Sequence, residues 1–326
     1  MQTLRFHQHG EPAEVLRLEE APVPSPNAGH IRVRVAACGL NPADWALCRG
    51  LFATELPRGV GLDVSGTVDA VGEGVSDVAV GDRVVGAADY SNYASAGAGE
   101  FAILHHWTPA PEGLDLVHAA ALPMAIETAY RSIDWLGVAA GQTLLVNGAG
   151  SMIGFAAVQM GLMRGARVIA AAGETFAARL RDLGALVTPY GDGLAERVKE
   201  LAGGPVDLVF DSAPVNLKPD MAPGDSVMPE LVKAAGGDPK RVLTCVDFAG
   251  AAAVGARNGF GETPGGPDGG ALRWDAFGEF ARAAAEGRFS VPIARTFALE
   301  DWREALEISL SGRAHGKLVL LPGGVS

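Results

Sequence analysis

The segment Val146-Asn-Gly-Ala-Gly-Ser-Met-Ile-Gly154 has the residue types most plainly arranged for chemistry in this chain. It lies between an apolar stretch at 144–146 and a helix-forming run that continues to Met163. Glycines let the backbone turn sharply and start a helix close to a pyrophosphate, whose charge meets the unpaired amides of the first turn. A Gly-rich turn alone is weak evidence, and a merely structural turn is the plain alternative. Its place after an apolar strand, with another at 167–170, favours a dinucleotide-binding βαβ unit. An S-adenosylmethionine-binding relative of that unit satisfies the motif as well. The second strand bears on which dinucleotide. Strands that prefer NAD usually end in Asp or Glu, which accepts hydrogen bonds from the adenine ribose. Here the strand ends Ala170-Ala-Ala-Gly173, which leaves room for a 2′-phosphate and removes a repulsive charge. The expected cofactor is therefore NADPH. Glu174, one step further on, is the alternative: as a ribose ligand it would shift the preference to NADH.

Other reactive side chains are sparse. Cys38, Cys48 and Cys245 are too few and too dispersed for a disulfide framework or a four-thiolate zinc site, and read as buried thiols. His105-His106 follows an expected strand and reads as a surface pair rather than a metal site. No nucleophile with an adjacent base is visible, nor is an acid–base dyad.

These residues need a scaffold to position them. A chain of 326 residues supplies two modest domains or one large one, and 48% hydrophobic with 20% charged residues is a globular balance. The 44 glycines are scattered without a collagen period, as expected for many tight turns. A net charge of -12 and the absence of a basic stripe argue against nucleic acid as partner. No leader-like segment opens the chain and no apolar run approaches a bilayer span, so the expectation is a cytoplasmic protein without a membrane partner. The first third reads as β-rich. Residues 31–35 alternate apolar and polar, and further strands are expected at 66–71 and 81–85. Beyond residue 114 the pattern becomes alternating: a helical stretch at 117–135 interrupted by Pro123, strands at 144–146, 167–170, 206–210 and 241–244, and helices after the first two. Alternation of this kind implies α/β architecture with a doubly wound parallel sheet. The segment 214–229 reads as a surface excursion and 259–270, rich in Gly and Pro, as a loop. A helix at 277–286, a short helix at 300–309 and a strand at 317–321 complete the chain.

Several segments, taken in order, resemble the zinc-free quinone oxidoreductase branch of the medium-chain dehydrogenase/reductase superfamily. They are Cys38-Gly-Leu-Asn-Pro-Ala-Asp44 with Trp45, Gly61-Leu-Asp-Val-Ser-Gly66, Val80-Gly-Asp-Arg-Val84, Ala119-Ala-Ala-Leu-Pro123 with Thr128-Ala-Tyr130, the loop at 148–154, residues 206–211, and Gly316-Lys-Leu-Val-Leu320. The resemblance implies a GroES-like β-barrel catalytic domain from residues 1–121 and 261–326, with a Rossmann domain at 122–260 inserted. It also implies that the metal is lost. Zinc-dependent relatives carry Cys at the position of Asn41, Gly-His-Glu at Gly61-Leu62-Asp63, and a third ligand near Met124. A catalytic zinc needs about three such ligands at one point.

By the same resemblance, cofactor contacts fall on Thr128, Gly148, Ala149, Gly150, Ser151, Met152, Ile153, Gly154, Gly173, Thr175, Tyr190 and Arg313. Tyr190 and Arg313 match positions that grip the 2′-phosphate; on residue type alone they are a loop aromatic and a surface cation. A further phosphate position, usually Lys, is Phe176 here, which weakens the site or moves the charge to Arg179. The family usually has two glycines where Ser151 and Met152 stand, so their side chains must point away from the pyrophosphate or the backbone must sit further off. Asn41, in place of a lost zinc ligand, is the expected catalytic polar group, although an Asn before Pro42 also suits a turn. Trp45, Asp63 and Phe248 are the expected substrate contacts, with barrel core the alternative for Trp45. The implied activity is hydride transfer from NADPH to a quinone or to the activated C=C of an enone, in a homodimer. Reduction of enoyl thioesters, and a non-catalytic nucleotide-binding or crystallin-like role, are the alternatives.

Overall fold

The computed structural model describes residues 1–51, 55–214, 226–259 and 272–323. The stretch read as a loop at 259–270 lies outside these residues apart from Gly259, as does most of the excursion at 214–229. The chain divides into two compact units, Met1–Met124 with Phe277–Ser326, and Ala125–Ala276.

In the first unit the strand Ile31–Leu40 organises the barrel. Its alternating residues send Ile31, Val33 and Val35 into the core while Arg32 and Arg34 face outward, where both pair with Asp69. Asp63–Val71 runs antiparallel along one edge of this strand. The other edge is shared: Ile31–Arg34 pairs with the strand Phe101–Pro109, and Cys38–Leu40 with Lys317–Leu321. Register shifts at Arg32/Val33 and Val35/Ala37 accompany this change of partner, as bulges that bend a strand do. Arg83–Ala88 joins Asp63–Val71 to Phe101–Pro109, so four strands close on themselves and leave no edge between them. The strand Ile293–Ala298 extends the sheet beyond Lys317–Leu321 in parallel. A small antiparallel sheet (Arg17–Glu20, Gln2–Phe6, Arg58–Gly59) contributes Leu4 and Phe6 to the same core.

The second unit is a six-stranded, wholly parallel sheet in the order Leu186–Thr188, Arg167–Ala171, Thr143–Asn147, Leu208–Asp211, Val242–Thr244, Arg257–Asn258. Numbered along the chain this is 3-2-1-4-5-6, the doubly wound order whose direction reverses between the first and fourth strands. The central strands are apolar because helices cover both faces: Leu145, Ile169 and Val209 are fully buried. The stretch expected as one interrupted helix is two, Leu116–Ala119 and Pro123–Leu136, with Pro123 at the first helical position, where its missing amide hydrogen costs nothing. His105 and His106 lie within Phe101–Pro109 rather than after a strand, and both are half-buried. Among the described residues, no helix is long and apolar enough to cross a membrane.

Candidate functional site

The expected site residues fall into two groups, one in each unit. In the barrel unit, Asn41 is the N-cap of the helix Pro42–Cys48. Asp44, three residues on, reaches back to accept a hydrogen bond from the Asn41 amide (2.7 Å) and also accepts from the amides of Gly61 (2.8 Å) and Leu62 (3.1 Å). One carboxylate therefore ties the start of this helix to the start of the strand Asp63–Val71. Asp44 is completely buried, and burial pushes its carboxyl up to about 6 despite these donors.

Asp63 opens that strand, and its two oxygens are fully engaged. One accepts from the Met124 amide at 2.9 Å; the other accepts from Lys317 Nζ at 2.7 Å and Asn41 Nδ2 at 3.1 Å. Lys317 Nζ donates in addition to Asn41 Oδ1. The cation on one side and the carboxylate on the other fix which way the Asn41 amide points. Asn41, Asp63 and Lys317 are 6%, 1% and 3% exposed. One Asn41 N–H is loosely held, at 3.4 Å from the Gly39 carbonyl. Trp45 is packed in the barrel core, its indole N–H donating to Ser309 Oγ at 2.7 Å. The structure thus makes Trp45 a core residue and Asp63 the partner of Lys317, so neither presents a surface to a substrate. Sequence reasoning does not single out Lys317 as a member of this cluster, although a charged residue opening the apolar strand Lys317–Leu321 is a visible signal. Arg313 is exposed in the turn before this strand.

In the parallel-sheet unit, the glycine loop leaves Thr143–Asn147 at the reversal of strand order, beside the end of Leu208–Asp211. Asn147 Nδ2 donates to Asp211 across the two strand ends (2.8 Å), and Thr244 Oγ1 donates to the other Asp211 oxygen (2.7 Å). Burial pushes Asp211 up to about 6. Gly148 has φ +74 and lies so close to the next crossover that a Cβ would come within 2.3 Å of the Ala213 nitrogen; only glycine fits. A Cβ on Gly154 would meet the Gly148 carbonyl at 2.3 Å, which seats the helix Met152–Met163 directly against the loop. Ser151 is the N-cap of that helix: its Oγ accepts from the Gly154 amide at 3.0 Å and contacts Ser212 Oγ at 3.1 Å. Its side chain is turned back onto its own helix. The amides of Met152 and Ile153 have no acceptor within the helix, as first-turn amides lack one, and Gly150 leaves the loop without a side chain there. A loop with these free amides and no side chain at Gly150 could hold a pyrophosphate.

Around it, Ala149 is buried, Phe176 packs its ring beside Gly150, and Arg179 lies over the Phe155 ring at 5.6 Å. Gly173 caps the helix Glu174–Asp182, where Glu174 and Thr175 are exposed. Tyr190, 66% exposed, stands over Gly173, near enough that a Cβ there would lie 3.4 Å from Tyr190 Cε1. Thr128 is half-buried in Pro123–Leu136, and Phe248 is a partly exposed residue opening the helix Phe248–Val254.

Residues 27–107 match the family model for the alcohol dehydrogenase GroES-like domain, and residues 183–320 that for zinc-binding dehydrogenases. The quinone oxidoreductase of Rattus norvegicus is 36% identical over 180 residues, 53% of this chain and 53% of its own. That of Salmonella typhimurium is 32% identical over 220 residues, 64% of this chain and 65% of its own. This chain thus matches roughly half to two thirds of the length of these relatives. The solved structure of an NAD-dependent alcohol dehydrogenase covers 98% of this chain and 99% of its own, with TM-score 0.78 and 26% identity.

The zinc implied by one of these family names does not fit the residues present. Asn41 offers an amide, Leu62 and the Met124 side chain offer no zinc ligand, and the Asp63 carboxylate already carries the Lys317 ammonium. Burial raises the Cys38 thiol well above its ordinary range, away from the thiolate a metal needs. Among the described residues, no group of three or more His, Cys, Asp and Glu side chains is placed to hold a metal. A GroES-like unit from both chain ends, an inserted parallel sheet in doubly wound order and the matched segments agree: this chain belongs to the medium-chain dehydrogenase/reductase family.

Proposed function

We propose that this protein is an NADPH-dependent reductase that delivers hydride to a quinone or to the activated C=C of an enone, without zinc. The observation that carries the reading is the Asn41–Asp63–Lys317 cluster: Asn41, which stands where zinc-dependent relatives have a Cys, is tied by hydrogen bonds to a buried ion pair. The quinone oxidoreductase relatives support the acceptor class.

When bound, the nicotinamide supplies the hydride. The glycine loop and the first-turn amides of Met152–Met163 hold its pyrophosphate, with Thr128, Gly173 and Thr175 as further contacts. Tyr190 and Arg313 bind the 2′-phosphate, in keeping with the absence of a carboxylate at the end of Arg167–Ala171. Held in this orientation, Asn41 Nδ2 offers to the acceptor oxygen the N–H that the Gly39 carbonyl holds only loosely, with Lys317 on Oδ1 polarising the amide. Phe248 supplies apolar contact to the substrate. A simple ketone develops a localised alkoxide that calls for a Lewis acid or a placed proton donor. A quinone or enone spreads that charge, so one amide donor suffices, and the proton comes from water.

The test uses single-turnover kinetics with NADPH deuterated at C4. Label should reach the β-carbon of an enone, and Asn41→Ala should slow the hydride step by about 2–4 kcal/mol while NADPH affinity holds. Efficient oxidation of simple alcohols with no turnover of quinones or enones would overturn the proposal. An unchanged rate in the variant would remove Asn41 alone.

A further inference from the structure

Between the edge strand Leu186–Thr188 and the helix Leu194–Ala202 runs a short irregular loop, residues 189–193. Gly191 and Gly193 take φ of +90 and +71, and the loop carries the exposed Tyr190 that stands over Gly173. An exposed tyrosine on an irregular loop has little packing beyond its contact with Gly173, so its position depends on the backbone beneath it.

Arg197, in the first turn of the following helix, grips that backbone. Its Nη1 donates to the Asp192 carbonyl at 2.6 Å, and its Nη2 is shared among the carbonyls of Pro189 (3.0 Å), Gly191 (3.3 Å) and Tyr190 (3.5 Å). Its Nε reaches Thr188 Oγ1 at 3.3 Å. One planar guanidinium thus meets four successive carbonyls and the residue before them, a use of its fixed fork that a lysine would not reproduce. A Cβ on Gly193 would sit 3.2 Å from Nη1, so the glycine makes room for the arginine. No ion pair to Arg197 is found among the described residues, so its hydrogen bonds go to the loop rather than to a carboxylate.

We propose that Arg197 is a specificity-determining positioning residue: by clasping residues 189–192 it holds Tyr190 beside Gly173, where the 2′-phosphate of NADPH is recognised. The proposal rests on the NADPH reading above. It assigns Arg197 no contact with the cofactor. Its effect runs through Tyr190, so loss of Arg197 selectively weakens the phosphorylated dinucleotide.

Fluorescence titration with NADPH and NADH, on the full chain and on Arg197→Ala, Arg197→Lys, Tyr190→Ala and the double alanine variant, tests this. Arg197→Ala should raise the Kd for NADPH about five- to tenfold, in the range of direct coupling between neighbouring residues. NADH affinity should stay within about twofold, and in the Tyr190→Ala background the same change should add little. Arg197→Lys should recover only part of the loss. Equal weakening of both cofactors, or losses that multiply in the double variant, would overturn the proposal. Amide hydrogen exchange without cofactor separates the two readings: Arg197→Ala should speed exchange at residues 190–193 and leave Arg167–Ala171 unchanged. Faster exchange there in a protein that prefers NADH would keep the clasp and sink the NADPH reading. Unchanged exchange would sink the clasp whatever the cofactor.

Discussion

Lys317 shows how much one side chain does in this molecule. Its ammonium is almost wholly buried and contacts Asp63 and Asn41, so removing it strands a carboxylate away from water. Breaking one side of a buried pair typically costs about 3–5 kcal/mol, whereas replacing both partners by apolar groups is often near neutral. Lys317→Met should therefore lower stability by about that amount, and Lys317→Met with Asp63→Leu should recover much of the loss in denaturant midpoints. An equal or larger loss in the double variant would mean that the Met124 amide and Asn41, rather than charge, dominate the cluster. Ser151 is a smaller case of the same logic. Where the family usually has glycine, its hydroxyl accepts the Gly154 amide. Ser151→Ala should cost about 0.5–2 kcal/mol in thermal or denaturant unfolding, the usual range for an N-cap.

At the scale of elements, Phe101–Pro109 carries His105 and His106 with ring centroids 4.3 Å apart. Burial holds both below the ordinary histidine value, His106 at about 4, with His105 adding repulsion. The unfolded chain then takes up a proton near pH 6.5 that the folded His106 refuses until about pH 4. This contribution to stability is present above that window and falls as the pH drops through it. His106→Gln should flatten the decline of Tm between pH 7 and pH 5; an identical decline in both proteins would place the proton uptake elsewhere. Other elements show why some were legible and some were not. Ile31–Leu40 alternates over its first half and Thr143–Asn147 is buried beyond Thr143, and these patterns announce them. Leu186–Thr188 and Arg257–Asn258 are three and two residues long at the sheet's edges, with no period to read.

At the scale of the whole molecule, the barrel unit is assembled from both ends of the chain. Lys317–Leu321 is buried along its length and pairs with both Ile31–Leu40 and Ile293–Ala298. Ending the chain at residue 316 removes that strand and leaves Asp63 without its cation. The barrel unit should then fail to give dispersed aliphatic NMR signals, while the parallel sheet of Ala125–Ala276 keeps its own core. A fully dispersed spectrum would show that the strand is dispensable. What the sequence determined by itself is what local pattern encodes: alternating β and α elements, a glycine loop after an apolar strand, no carboxylate at the end of the second strand, and no zinc ligands at Asn41, Leu62 and Met124. These follow from periodicity, from residue chemistry at fixed spacing, and from segments in a recognisable order. Only the tertiary structure decided where the polar groups of the site are used up. Asn41 and Lys317 are 276 residues apart in sequence, and Asp63 lies 22 residues from Asn41. No local pattern records that three such residues share one buried hydrogen-bond cluster, because the barrel's strand pairing brings them together. Trp45 became core for the same reason: Ser309, which takes its indole N–H, arrives from the other end of the chain.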